Sequence, residues 1–319
     1  DGVFFALYVP ASYDSDPSAA RQYAGRLLEG VVRSIGEDKG AVLTTSVEQA
    51  LANKAEGRLS VFLGLENGSA IGDSLDELRR FYDAGVRYVT LCHTGNNQIC
   101  DSCATGEKLW NGLSPFGREV VAEMNRIGMM VDVSHISDDA FYDVIKCSSR
   151  PVVATHSCCR ALADHPRNLT DDMIRSIAEK NGVVQVNFYP LFLDSGFGAV
   201  LDGSGIAERG EAVENEFIAD PADPKKREAW HIVQDELKSL PRPSYRRIVD
   251  HIDHIVDLVG IDYVGLGSDF DGIAVTPEGL EDVSGFSLVL DEMRERGYTE
   301  SDIEKVASGN FFRVMKACQ

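Results

Sequence analysis

The chain has 319 residues, 44% of them hydrophobic, enough to bury a large α/β core. Its 51 acidic against 31 basic side chains leave a formal charge of −20, a surface that repels phosphate backbones and anionic lipid and argues against nucleic-acid and membrane-surface partners. No apolar run approaches the roughly 18 residues of a membrane span, and DGVFFALYVPAS at the start has neither the basic residues nor the cleavage site of a signal peptide. The cysteines number seven, with Cys158 and Cys159 adjacent, so no disulfide framework is expected. A reducing compartment is the default expectation for a soluble chain, with cytoplasm and periplasm both left open.

In chain order, short apolar runs alternate with amphipathic segments and no internal repeat appears. Strands are expected at 3–9, 60–66, 88–93, 129–135, 151–156, 182–188 and 263–270. Runs rich in Val, Leu and Phe without polar alternation suit strands covered on both faces, as in parallel sheets. Helices are expected at 18–34, 73–84, 115–127, 137–148, 171–181, 243–259, 286–296 and 301–316. SDDAFYDVI and LTDDMIRSI place a Ser or Thr before two acids, which suits helix N-termini. Strands alternating with helices predict a right-handed parallel α/β fold. Residues 190–242 break the rhythm: they are acidic, with Gly and Pro clusters, and read as an insertion or lid within a single domain spanning 1–319.

The strand ends carry the functional signal. Five of the seven expected strands finish on or pass through a metal-ligating or proton-moving residue: Glu66, His93, His135, His156 and Asp269. Each alone has a plainer reading. A strand-end histidine is more often a capped structural residue, Glu66 could pair with an arginine, and Asp269 and Asp271 could be turn residues. In a (β/α)₈ barrel, however, C-terminal strand ends converge on one mouth where active sites sit, and that convergence explains the set jointly. Imidazole and carboxylate ligands without thiolate suit catalytic Zn²⁺ or a similar divalent ion, and Glu66 could bridge two of them.

Other chemistries fit less well. There is no GxSxG elbow and no P-loop, and GLGSDF has Phe270 where a dinucleotide fingerprint needs glycine. CDSC (100–103) is a single CxxC without a partner pair. His251 and His254 lie one turn apart on an expected helix and favour surface or packing roles. His165 and His231 remain unassigned.

Nearly the whole chain resembles the membrane (renal) dipeptidases of peptidase family M19. The resemblance rests on GLENG, LCHT, VDVSHISD, PVVATHS, HPRNLTDDMI, GVVQVNFY and VGLGSDFDG followed by PEGLEDVS. It implies a two-zinc dipeptidase in which Glu66 bridges the ions and His135 and His156 ligate one of them. It further implies that His93 steadies the oxyanion, that Arg167 clamps the substrate carboxylate, and that Asp269 shuttles the proton. A metal-bound hydroxide would attack dipeptides, including those with a C-terminal D-residue, and the family's frequent assembly is a homodimer.

One departure stands out. The family's first strand carries a His-x-Asp pair for the other zinc, and no candidate strand here has one. The second zinc therefore has no assigned ligands, and the barrel's first strand is expected to be missing ahead of residue 1; a variant holding at most one metal is the alternative. Two other functions remain open: a related barrel amidohydrolase or lactonase, and a non-catalytic binding relative.

Overall fold

The computed structural model describes residues 2–319. Its first half runs β1 (Gly2–Tyr8), α1 (Pro17–Glu37), β2 (Ala41–Leu43), α2 (Val47–Ala55), β3 (Leu59–Glu66), α3 (Leu75–Asp83), β4 (Val86–Thr90), α4 (Pro115–Ile127), β5 (Met130–Asp132) and α5 (Asp138–Cys147). It continues with β6 (Val152–Ala154), α6 (Asp171–Glu179), β7 (Val183–Asn187), α7 (Pro190–Leu193), α8 (Ser195–Ser204), α9 (Ile206–Ala219) and α10 (Pro224–Lys238). The last part holds α11 (Arg246–Val259), β8 (Val264–Gly267), α12 (Phe286–Glu295), α13 (Glu300–Glu304) and α14 (Asn310–Cys318).

All seven expected strands form. They take the order β1-β3-β4-β5-β6-β7-β8, and the short β2 pairs beside the start of β3. Every pairing from β1 to β7 is parallel. The parallel α/β expectation therefore holds, while the strand count among the described residues is eight and not seven. β2 escaped the sequence reading because three residues are too few to show a period. β1 and β8 stand at the two ends of the order, so a closed barrel is not what these pairings display.

Helix ends follow their caps. Asp16 accepts hydrogen bonds from the Ser18 and Ala19 amides at 3.1 and 3.0 Å ahead of α1. Ser137 does the same for α5, receiving the Ala140 amide at 3.2 Å. The helix expected at 301–316 is instead α13, a π-helical turn at Lys305–Gly309, and α14. The stretch 190–242 is largely helical, holding α7 to α10. Its glycines read as breakers, yet Gly196, Gly198 and Gly203 all lie within α8.

Packing divides the chain into two units: Asp1–Thr155 with Asp172–Val184 and Ser308–Gln319, and His156–Asp171 with Gln185–Ala307. The first unit's core takes one side chain from each of five neighbouring strands: Phe62, Tyr88, Met130, Val153 and Val183. Phe311, Val314 and Met315 of α14 close it. Phe4 of β1 stacks on Phe62 at 4.8 Å, an aromatic contact worth about 1 kcal/mol beyond the area it buries. The second unit has its own cluster of Phe197, Leu201, Ile206, Trp230, Val233, Leu237 and Val275. Most of that cluster comes from the acidic stretch, which is therefore a packed element and not a bare connection.

Candidate active site

In the first unit, three expected site residues come together. Glu66 is the last residue of β3, in register with Tyr8 of β1 and Thr90 of β4. His93 and His135 each stand three residues past β4 and β5. Glu66 Oε1 lies 3.5 Å from His135 Nε2 and 3.8 Å from His93 Nε2. The two imidazole rings are 4.0 Å apart, and Tyr8 lies 4.7 Å from His93 on centroids. Potential ligand atoms of Glu66, His93 and His135 all fall within 4.8 Å of one another. The side chains are only 12%, 17% and 10% exposed, reachable yet shielded from bulk water.

Two imidazoles and a carboxylate so close, with no thiolate among them, fit a divalent ion such as zinc. The grouping includes His93, whereas the resemblance puts His156 in the ligand set and gives His93 a substrate role.

The backbone around this trio is held in place by buried polar groups. His135 has φ 71°, a left-handed conformation that costs an L-residue about 1 kcal/mol or more and persists only where neighbours impose it. Its carbonyl accepts the Cys103 amide at 2.9 Å. The Ser102 hydroxyl donates to the carbonyls of both His93 and His135, so the loop after β4 ties the histidines together. Next to Glu66, Asn67 has φ 82° and donates to Val9 O at 3.0 Å and Asp14 Oδ1 at 2.7 Å, while accepting from Asn97 at 3.0 Å. Burial pushes the Asp14 carboxyl up to about 6, against the Asn67 hydrogen bond that lowers it.

The second unit holds His156, Arg167 and Asp269. Arg167 is 6% exposed; its Nη2 donates to His156 O and its Nη1 to Ser157 Oγ, both at 3.0 Å. The guanidinium lies 5.6 Å over the Phe192 ring. Its Nε is buried without a partner among the described residues, which is costly unless a ligand accepts from it. Asp269, at φ 59°, receives the Asn187 side-chain amide at 3.0 Å, and Asp271 follows at φ 68°. Non-glycine residues with positive φ thus recur at the expected site positions.

The sequence profile described as "Membrane dipeptidase (Peptidase family M19)" matches residues 1–319. The chain belongs to that family. A Schizosaccharomyces pombe relative described as an uncharacterized dipeptidase is 34% identical over 265 residues, 82% of this chain and 54% of that protein. The chain spans about half the length of such curated relatives. Among solved structures, the probable dipeptidase PvdM from Pseudomonas aeruginosa is 28% identical with a TM-score of 0.81, covering 100% of this chain and 86% of that one. A metallopeptidase from Rhodobacter sphaeroides, liganded with a phosphinate mimic of the dipeptide L-Ala-D-Ala, is 26% identical with a TM-score of 0.76. That pair covers 100% of this chain and 87% of the other.

Membership in the M19 family does not turn every reactive-looking motif into a site. The CDSC stretch is a loop scaffold: Asp101 receives the amides of Leu109, Trp110 and Gly112 at 2.9, 3.0 and 3.1 Å. No disulfide joins any of the seven cysteines among the described residues. His251-Ile252-Asp253 does spell His-x-Asp, but on α11 and not on a strand. His251 is fully buried, accepts the Cys159 amide on Nδ1 at 3.0 Å and donates from Nε2 to Leu193 O at 3.0 Å. Burial pushes its pKa down to about 4, so it stands neutral in a packing role. Asp253 is engaged by Arg296 at 2.7 Å and Tyr298 at 2.6 Å. His254 pairs with Asp171 at 2.8 Å, and His165 Nδ1 accepts the Arg167 amide at 3.1 Å. His231 lies exposed on α10.

Sequence reasoning missed Asp132, Asn67, Ser102 and Asp101. Their signal was present only as polar residues inside apolar or loop stretches, and for Asn67 and Asp132 most partners lie more than 20 residues away in the chain.

Proposed function

We propose that this chain is a zinc-dependent dipeptidase that hydrolyses dipeptides, including those with a D-residue at the C-terminal position. Its carrying observation is the convergence of Glu66, His93 and His135 in a chain that matches the M19 family along its whole length. The mimic of L-Ala-D-Ala bound by the Rhodobacter relative supports the D-residue preference.

The residues take separate tasks. Glu66, His135 and His156 are the proposed metal ligands, with Glu66 as the bridge if two ions bind. A bound divalent ion would lower the pKa of water towards neutrality and polarise the scissile carbonyl. Arg167, with a buried Nε unpartnered among the described residues, orients the substrate by its terminal carboxylate. His93 donates to the oxygen on which charge develops. Asp269, steadied by Asn187, takes the proton of the attacking water and returns it to the departing amine. The fold proposed is a single (β/α)₈ barrel domain, with residues 190–242 as an insertion within it.

A non-catalytic binding relative is the second reading, and one observation favours it: no strand among the described residues carries His-x-Asp. Amine release from L-Ala-D-Ala, L-Ala-L-Ala and related dipeptides, with zinc and with chelator, separates the two. Zinc-dependent cleavage abolished by chelator is expected. Binding without cleavage by folded, zinc-loaded protein overturns the enzymatic proposal.

A further inference from the structure

We infer that Asp132 is the positioning residue of the metal centre, a single buried carboxylate that sets the approach of the histidines to their ligand. The inference rests on the proposed reading that Glu66, His135 and His156 hold a divalent ion. Asp132 ends β5 and is fully buried, as are Thr90 and Ser134. Its Oδ2 accepts the hydroxyls of Thr90 at 2.6 Å and Thr155 at 2.7 Å. Its Oδ1 accepts the backbone amides of Ser134 at 3.0 Å and Thr155 at 2.9 Å.

These four donors occupy informative positions. Thr90 is the last residue of β4 and stands three residues before His93. Ser134 immediately precedes His135, whose φ of 71° has to be imposed by its surroundings. Thr155 immediately precedes His156. The parallel ladder stops at Asp132 on β5 and at Ala154 on β6. Beyond it, the amides of Ser134 and Thr155 need an acceptor the sheet no longer offers, and the carboxylate is that acceptor. The same group therefore ends the ladder and aims the chain that leaves it. Ligand-orienting partners of this sort typically change metal affinity by roughly 10–100-fold when removed.

The test uses the full chain and the metal alone. Cobalt(II) affinity is measured by competition with a chromophoric chelator, alongside the visible spectrum of the bound ion and the thermal unfolding of metal-free protein. Asp132→Asn keeps the shape and turns one acceptor into a donor; it is expected to bind cobalt about 10–100-fold more weakly, with an altered spectrum. A purely structural role would lower the metal-free unfolding temperature and leave affinity and spectrum at wild-type values, and that result overturns the inference. Wild-type protein that binds no cobalt overturns the metal-centre reading and this inference together, whereas equal binding by both proteins overturns the inference alone. If Asp132→Asn does not fold, the double variant Thr90→Val with Thr155→Val takes its place, since it leaves the carboxylate and both amide bonds. It is expected to weaken binding several-fold, and wild-type affinity overturns the proposal.

Discussion

Glu66 and His135 reach the same small space by opposite means. β3 is eight residues long with seven buried, flanked by β1 and β4, and it delivers Glu66 on ordinary extended backbone. β5 has three residues, and His135 hangs three residues past its end on a left-handed backbone held by polar contacts. A ladder places a residue through a regular repeat of backbone hydrogen bonds to the strands on either side. A network places it through groups scattered along the chain. A residue of the first kind is vulnerable only to changes in its own atoms or its strand's fit; one of the second can be displaced from a distance.

The sharpest way to separate the two is Glu66→Gln, which leaves the ladder intact and removes the charge. A metal's polarising effect is worth several kcal/mol, so kcat/KM for dipeptide cleavage is expected to fall at least about a thousand-fold. The unfolding temperature should stay within a few degrees of wild type. Substantial residual cleavage would remove Glu66 from the chemistry.

The second unit offers a network-held histidine that titrates. His251 has a folded pKa near 4 against an ordinary 6.5, because burial disfavours its charged form. Between these values the unfolded chain binds the proton and the folded chain does not, so this contribution to stability is complete above about 6.5 and falls as pH drops towards 4. The loss is on the order of 3 kcal/mol. Urea unfolding of wild type and His251→Gln at pH 7.5 and 4.5 checks it: the variant should start less stable and show a flatter pH dependence. Parallel slopes would discard the assignment.

Gly64→Ala attacks the ladder itself. A Cβ at that position would lie 2.0 Å from Cζ of Tyr88, its register partner on β4. A ring in a packed core has little room to yield, and about 1–3 kcal/mol of stability should be lost, read by denaturant midpoint. Ser102→Ala touches the network at one side chain and should be mildest. It removes the hydroxyl donor to the two histidine carbonyls, at a cost of about 1 kcal/mol. Cleavage should fall several-fold with KM nearly unchanged, because the change loosens His93 and His135 and leaves Arg167, which grips the substrate carboxylate, in place.

The same contrast explains what could be read from the chain. Seven strands were legible because each is a short, mainly apolar run, and Glu66 because β3 truly ends on it. His93, His135, His156 and Asp269 were legible as types near strand ends, although β4, β5, β6 and β8 stop two or three residues short of them. At β5 and β6 the shortfall arises where Asp132 accepts the Ser134 and Thr155 amides and draws the backbone out of the ladder. β2 was too short to register, and α2 was not among the expected helices despite its Ser46 cap. Helices α8 to α10 were masked by glycines and prolines, because their stability comes from burying Phe197, Trp230 and Val233 together and not from local propensity. Asp132 was invisible since a carboxylate's worth lies in who donates to it.

The left-handed backbone at His135 also filters what mutation can do there. Gly meets no steric cost at such a torsion, Asn and Asp little, and β-branched residues a severe one. Genetic drift at this position is therefore steered towards a handful of outcomes before any selection on catalysis. One of them, Asp, would replace the imidazole nitrogen with a charged oxygen and tilt the centre towards harder cations. A saturation library at position 135, sorted for folded protein without reference to activity, should return Gly, Asn, Asp and His and be emptied of Val, Ile and Thr.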